Sequence, residues 1–363
     1  MSKEKVAIIE TTYDNVDDKI EEIFNLLDYK PKKNKVILKP NIVSPRDKNS
    51  PVITNPKLIE ALVKYLKKHF EEIVIGEGSV AGTPTHQAFK AAGYYELAEK
   101  YGIKLLDFNT ANRVPIDWKY GKIMVPYILT THEYINVAKM KTHIQTTVSL
   151  AEKNQKGILA PNDKKLFHKS SELNERIKAL NRAIQPDLNI IDAIACIEGN
   201  GPGAEGKEVR LNRILASQNI FAIDNAALQV MKIHPEKVAH LIKEDFEFVG
   251  DLKMPKHKFR LPDEYYHKLR LRMWFNDSCS GCNQNIFSAI RGMLKKHPLK
   301  TIKFLYNVTI HQTNIIAGPK HKKFPRKGHI ICVGLCTRAL AEKNGDTYIG
   351  GCPPKVKKIM EGI

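Results

Sequence analysis

Five of the six cysteines lie between Cys279 and Cys352. They sit in three short segments: Cys279-Ser-Gly-Cys282, Cys332-Val-Gly-Leu-Cys336 and Gly350-Gly351-Cys352-Pro353-Pro354. The two sulfurs of a CxxC turn reach one metal centre, and thiolates on separate glycine turns close its other corners. Glycine beside a ligand lets backbone N–H groups approach sulfur and tune the bound centre. Soft thiolates select zinc or iron–sulfur centres, and a four-cysteine site suits both. The usual zinc ribbon carries two CxxC pairs about 15–20 residues apart, whereas here one pair faces single cysteines. The expected ligands are Cys279, Cys282, Cys336 and Cys352. Cys332 falls in Ile330-Ile331-Cys332-Val333, which reads as a buried strand, where cysteine is a small apolar residue. Cys332 in place of Cys336 stays open.

The Gly-Cys-Pro-Pro turn resembles the last cluster-ligating turn of nickel–iron hydrogenase small subunits and of the matching subunit of respiratory complex I. With the upstream CxxC, that resemblance implies a [4Fe–4S] cluster, with zinc as the alternative and free thiols third.

A second set of reactive residues recurs where strands should end. Lys39-Pro40-Asn41 and Glu77-Gly78-Ser79 follow apolar runs, and Tyr134–Ala138 leads into Lys139-Met140-Lys141-Thr142-His143. Asn189–Asp192 leads, through Cys196, into Glu198-Gly199-Asn200-Gly201-Pro202-Gly203. Lys39, Asn41, Lys139, Lys141, Lys153 and Asn154 are donors suited to a carboxylate or phosphate. His143 and Glu198 are the expected proton-handling residues. Gly201 and Gly203 belong to a loop able to present backbone N–H groups to an anion. No Gly-Lys-Ser/Thr follows that loop, so it is not a P-loop, and it lacks dinucleotide-binding spacing. The plainer alternatives are solvated lysines, a hydrogen-bonded structural histidine, and carboxylates at Asp192 and Asp224 that only cap or brace.

The elements that must position these residues alternate between strand and helix. Val6–Glu10, Val36–Leu38, Ile73–Gly76 and Lys104–Phe108 read as strands, with helices near Asp14–Leu27, from Pro56 and near His86–Lys100. Such alternation predicts an α/β fold, a mostly parallel sheet flanked by helices. Ligands in such sheets gather at the carboxyl ends of the strands. A charged linker, Phe246–Pro262, divides residues 1–250 from a smaller basic cysteine-bearing domain, residues 251–363. Within the latter, Asp263–Phe275 reads as a basic amphipathic helix.

The net charge of +19 is uneven. Residues 251–363 hold 22 Lys/Arg against 7 Asp/Glu, and Arg291–Ile330 contains ten basic residues and no acidic one. That field attracts phosphates, nucleic acid, anionic lipid or an acidic protein. An acidic redox partner such as a ferredoxin fits a nearby cluster; nucleic acid is the second choice. The sequence shows no signal-peptide pattern, no apolar run long enough to span a bilayer and no secreted disulfide framework, so a cytoplasmic location is expected.

Taken together, Leu38-Lys39-Pro40-Asn41, Thr54-Asn55-Pro56, Lys139–His143, Glu152–Gly157, Asp192-Ala193 with Glu198–Gly203, and Ala222-Ile223-Asp224 carry a family resemblance. Over roughly residues 35–235 the chain resembles the domain-of-unknown-function-362 family, prokaryotic proteins often linked to ferredoxin-type clusters. It lacks the compact CxxCxxCxxxC run of some relatives, and its dispersed cysteines stand in that place. The expected function is an iron–sulfur protein, a redox enzyme or electron-transfer protein acting on an anionic small molecule. The alternatives are a zinc-stapled nucleic-acid-binding protein and an iron–sulfur cluster carrier or assembly factor. All-cysteine ligation leaves no open iron and points to electron transfer.

Overall fold

In the computed structural model the described residues are 3–80, 83–169, 172–203, 206–262, 271–275, 278, 280–319 and 327–363. They divide into two compact units, Met1–Phe167 with Glu172–Arg260, and His168–Ser171 with Leu261–Ile363.

The first unit is built on β1 (Glu4–Glu10), β2 (Lys35–Lys39), β3 (Glu72–Glu77), β4 (Lys104–Asp107), a hairpin of β5 (Arg113–Trp118) and β6 (Gly121–Pro126), β7 (Glu133–His143), β8 (Thr147–Ser149), β9 (Leu188–Gly199), β10 (Gly206–Ser217) and β11 (Phe246–Gly250). The main sheet runs β11-β1-β10-β9-β7-β2-β3-β4, with β8 paired to β7. Its half from β9 through β7, β2 and β3 to β4 is parallel throughout. The hairpin β9–β10 and the pair β1–β10 are antiparallel.

Strands covered on both faces must be apolar at successive positions, which is why Val36-Ile37-Leu38 is an unbroken run. Val36 and Leu38 pack with the helices Ile20–Leu26 and Pro56–Leu66. Ile37 points to the opposite face, among Ile158, Phe167 and the helix Leu173–Ala183. The helix Pro56–Leu66 starts as its sequence indicates. Asn55 Oδ1 accepts the Lys57 N–H at 2.9 Å, and proline fills the first helical position, where no N–H is needed.

Three expectations change. The segment near His86–Lys100 is two helices, Thr85–Ala91 and Tyr94–Tyr101, because Gly93 between them takes a left-handed φ of +77°. Phe246–Gly250, read as the start of a linker, is an edge strand parallel to β1. Of Asp263–Phe275, residues 263–270 lie outside the described residues, and Leu271–Phe275 is a strand rather than helix. Four apolar or aromatic residues in a run of five satisfy either period, and pairing with a parallel neighbour decides it.

The second unit carries β12 (Leu271–Phe275), β13 (Thr313–Ala317), β14 (His329–Val333) and β15 (Thr347–Ile349), all parallel and in that spatial order. Its core joins Leu271, Ile315, Ile331 and Ile349 to Ile286, Ile290 and Met293 of the helix Ser280–Lys296 and to Phe304 and Val308 of the helix Pro298–His311. No described helix in either unit is long and apolar enough to cross a membrane.

Candidate functional site

Adjacent parallel strands end together, so the polar residues at their carboxyl ends meet. Lys39 closes β2 and Glu77 closes β3, and their side chains pair at 3.1 Å with almost no exposure. Lys39 Nζ also donates to Asn154 Oδ1 at 3.2 Å, and that oxygen accepts from Asn41 Nδ2 at 2.8 Å. Asn41 Oδ1 in turn accepts from Lys141 Nζ at 2.6 Å. Successive odd positions of β7 thus supply Lys139, Lys141 and His143. Lys139 Nζ pairs with Asp192 Oδ2 at 2.8 Å and donates to the Tyr13 hydroxyl at 2.8 Å, while that hydroxyl donates to Asp192 Oδ1 at 2.9 Å.

These lysines divide by counterion. Lys39 and Lys139 each have a buried carboxylate. Lys141, 1% exposed, is bonded among the described residues to neutral oxygens only, those of Asn41 and Val52. Lys164 is bonded to the Gly78 and Ser79 carbonyls and Asn109 Oδ1, and Lys153 to Ser149 Oγ at 3.1 Å. Burial without a compensating anion disfavours an ammonium. Desolvation, then the neighbouring Lys139 charge, pushes Lys141 down to about 7. Lys156 falls to about 7 through desolvation and Lys164, and Lys164 to about 7 chiefly through desolvation. Lys39 and Lys153 are also lowered, first by desolvation; Lys156 and Lys141 add to the effect at Lys153, whereas Glu77 opposes it at Lys39. Among the described residues, Lys141 and Lys164 are thus buried lysines hydrogen-bonded to neutral oxygens.

The remaining expected residues flank this cluster. His143 is 7% exposed, and its Nδ1 accepts the Gln145 N–H at 3.0 Å, which leaves the proton of the neutral ring on Nε2. Gly201 lies against β7: a Cβ there would sit 2.3 Å from the Thr142 carbonyl oxygen, and its own carbonyl accepts from Ile144 N–H. Gly203 accepts the Gly206 N–H in the same β9–β10 hairpin. Glu198 turns to other partners, with Oε2 2.9 Å from His257 Nε2 and accepting the Arg260 N–H at 3.0 Å. Asp192 accepts from Tyr13, Lys139 and the amides of Asn55 and Ile194, a fully engaged brace.

Asp224 does not open its own helix, since Asn219 caps Ile220–Met231. Its carboxylate instead accepts the Ala151 and Glu152 amides at 2.8 and 3.0 Å, holding the turn that presents Lys153 and Asn154. Burial raises Asp224 to about 7; burial and then Asp224 raise Glu152 as well. A surface depression of about 500 Å³ lined by Asn225, His234, Glu236 and Lys243 contains none of the buried lysines.

The family model described as "Domain of unknown function (DUF362)" matches residues 36–229, more than half of the chain. The chain belongs to the DUF362 family. A thylakoid-associated protein of Synechocystis sp. is 23% identical over 218 residues, covering 58% of this chain and 67% of that protein. Among solved structures, the lactate racemase apoprotein from Thermoanaerobacterium thermosaccharolyticum aligns with a TM-score of 0.44 and 16% identity, over 86% of this chain and 68% of that one. The DUF362 match contains every buried lysine named above and stops short of the C-terminal cysteines.

Beyond the DUF362 region, the second unit collects its cysteine turns at the carboxyl ends of its strands. Cys282 is in the first turn of the helix after β12, Cys336 follows β14 and Cys352 follows β15. A Cβ at Gly334, where φ is +101°, would lie 3.2 Å from Cys282 Sγ, 3.6 Å from Cys336 Sγ and 3.9 Å from the Gly351 carbonyl. The Cys352 turn is tied to the other two: Leu335 N–H donates to the Gly351 carbonyl and Asn285 Nδ2 to the Pro354 carbonyl. Cys332 packs apart, with Ile316, Ile330 and Ala341, and burial pushes its thiol up to about 12. Cys279 lies outside the described residues. Among the described residues, no three His, Cys, Asp or Glu side chains are set to hold a metal ion.

Proposed function

We propose that the DUF362 unit binds an anionic small molecule, a carboxylate or phosphate, at the carboxyl ends of β2, β3 and β7. One observation carries this reading: Lys141 is a buried lysine bonded only to neutral oxygens, among further lysines pushed toward neutrality. An incoming anion supplies the missing counterion, and burial strengthens that attraction well beyond its value in water. Lys139 and Lys39, already paired, position the site; Lys141, Lys153 and Asn154 contact the ligand. A lysine near neutrality at physiological pH takes up a proton as the anion binds, so Lys141 is the binding cation and proton handling in the complex falls to His143. Glu198 anchors the segment carrying His257 and Arg260, and the Gly201–Gly203 hairpin lines the edge. Inorganic phosphate, citrate and pyruvate are the first probes. The expected result is binding of at least one, lost in Lys141→Met; no binding by any carboxylate or phosphate contradicts the reading.

We further propose that Cys279, Cys282, Cys336 and Cys352 hold a [4Fe–4S] cluster, which supplies one-electron transfer when bound, with zinc as the alternative occupant. The space that a Cβ at Gly334 would fill, between two sulfurs, supports the fit. Anaerobically purified protein should be brown, with stoichiometric iron and sulfide. Cys282→Ser or Cys352→Ser should remove the colour and Cys196→Ser should not, because Cys196 is buried in β9. Colourless protein carrying one zinc would transfer the centre to the alternative.

A further inference from the structure

The helix Pro298–His311 is apolar on two opposite faces. Phe304 and Val308, four apart, face the core of the second unit. Leu299, Ile302, Tyr306 and Ile310, spaced three, four and four, form a separate stripe that is 82, 65, 59 and 55% exposed. Such spacing places side chains in one line along a helix. Leu294, in the preceding helix, and Leu305 are exposed as well. Lys300 and Lys303 are exposed beside the stripe, within the forty-residue stretch Arg291–Ile330 that has no acidic residue.

We propose that this stripe docks the protein on an anionic membrane surface. Burying four large apolar side chains in the acyl boundary, with lysines reaching back to the headgroups, is how an interfacial helix binds. Each cation near such a surface adds attraction that salt screens. A second copy of this chain is disfavoured, because apposing two such faces brings like charges together. The stripe is a convex ridge along about 17 Å of helix axis; a fluid interface accepts it directly, whereas a protein partner needs a matching groove.

The test is flotation of the full chain with phosphatidylcholine vesicles with and without phosphatidylglycerol. Ile302→Ser/Ile310→Ser and Lys300→Gln/Lys303→Gln are the comparison proteins, and all these positions are exposed, so melting temperatures should match the parent. The expected result is binding to the phosphatidylglycerol vesicles, falling with added salt and reduced at least about tenfold in both variants. No binding, or binding that ignores the isoleucine pair and reflects charge alone, overturns the proposal. So does a dimer in sedimentation velocity that Ile302→Ser/Ile310→Ser dissolves, or a complex with an acidic ferredoxin that needs the stripe while vesicles are not bound.

Discussion

Lys139 and Lys141 lie two residues apart on one strand, yet they should respond oppositely to the same change. Lys139→Met removes the counterion of a fully buried Asp192, and breaking such a pair costs about 3–5 kcal/mol. Lys141→Met removes a desolvated ammonium that has no carboxylate. In the ligand-free protein it should therefore be neutral or stabilising by chemical denaturation, while anion-induced stabilisation disappears. The pH dependence follows from the same residues. Lys141, Lys156 and Lys164 sit near 7 when folded against 10.5 in the unfolded chain. Between those limits the unfolded state binds more protons, so ligand-free stability should rise from pH 7 towards 10. Below pH 7 these lysines are charged in both states and their burial cost is felt in full. Asp224, raised to about 7, contributes with the opposite sign only between its unfolded value of 3.8 and about 7, below this window. Midpoints in urea from pH 7 to 9.5 check the rise; a flat or falling profile contradicts it.

At the scale of elements, the carboxyl ends of β2, β3 and β7 pack closely because glycines let the chain approach. A Cβ at Gly157 would lie 2.2 Å from Glu77 Oε1 and 2.6 Å from Lys39 Nζ, so Gly157→Ala should cost about 1–3 kcal/mol by overpacking and weaken anion binding, both readable by thermal shift. Gly334→Ala should lower metal content, since it inserts a methyl between Cys282 and Cys336 and strains a positive φ. Much of this was legible in the sequence. Strands buried on both faces appear as apolar runs, and charged residues ending such runs, as Lys39 and Lys141 do, mark the carboxyl ends at which the fold brings them together. Other parts were hidden. Lys164 belongs to Pro161–Lys169, a polar stretch indistinguishable from a solvated helix, and becomes buried only through its bonds to the Gly78 and Ser79 carbonyls. Tyr13 reaches Asp192 across 179 positions, a contact with no local signal. Glu198 carried the same signal as Lys141 at a strand end, but residues 257–260 return to claim it.

For the whole molecule, charge is distributed by task. The first unit buries Lys141 and Lys164 against neutral oxygens, where an ammonium is costly without an anion. Among the described residues, the second unit displays cations such as Arg272, Lys300, Lys303 and Lys357 on the surface, where they are cheap and act at long range. The two should respond differently to salt: anion binding at the buried lysines only moderately, contacts of the basic surface steeply. The most direct test of the central claim is calorimetric titration of a bound carboxylate or phosphate at pH 8 in two buffers of different ionisation enthalpy. An anion that completes the lysine cluster raises the affinity of those amines for protons, so binding should take up protons, and Lys141→Met should abolish most of the uptake. Binding with no proton uptake, or uptake unchanged in Lys141→Met, would contradict the account.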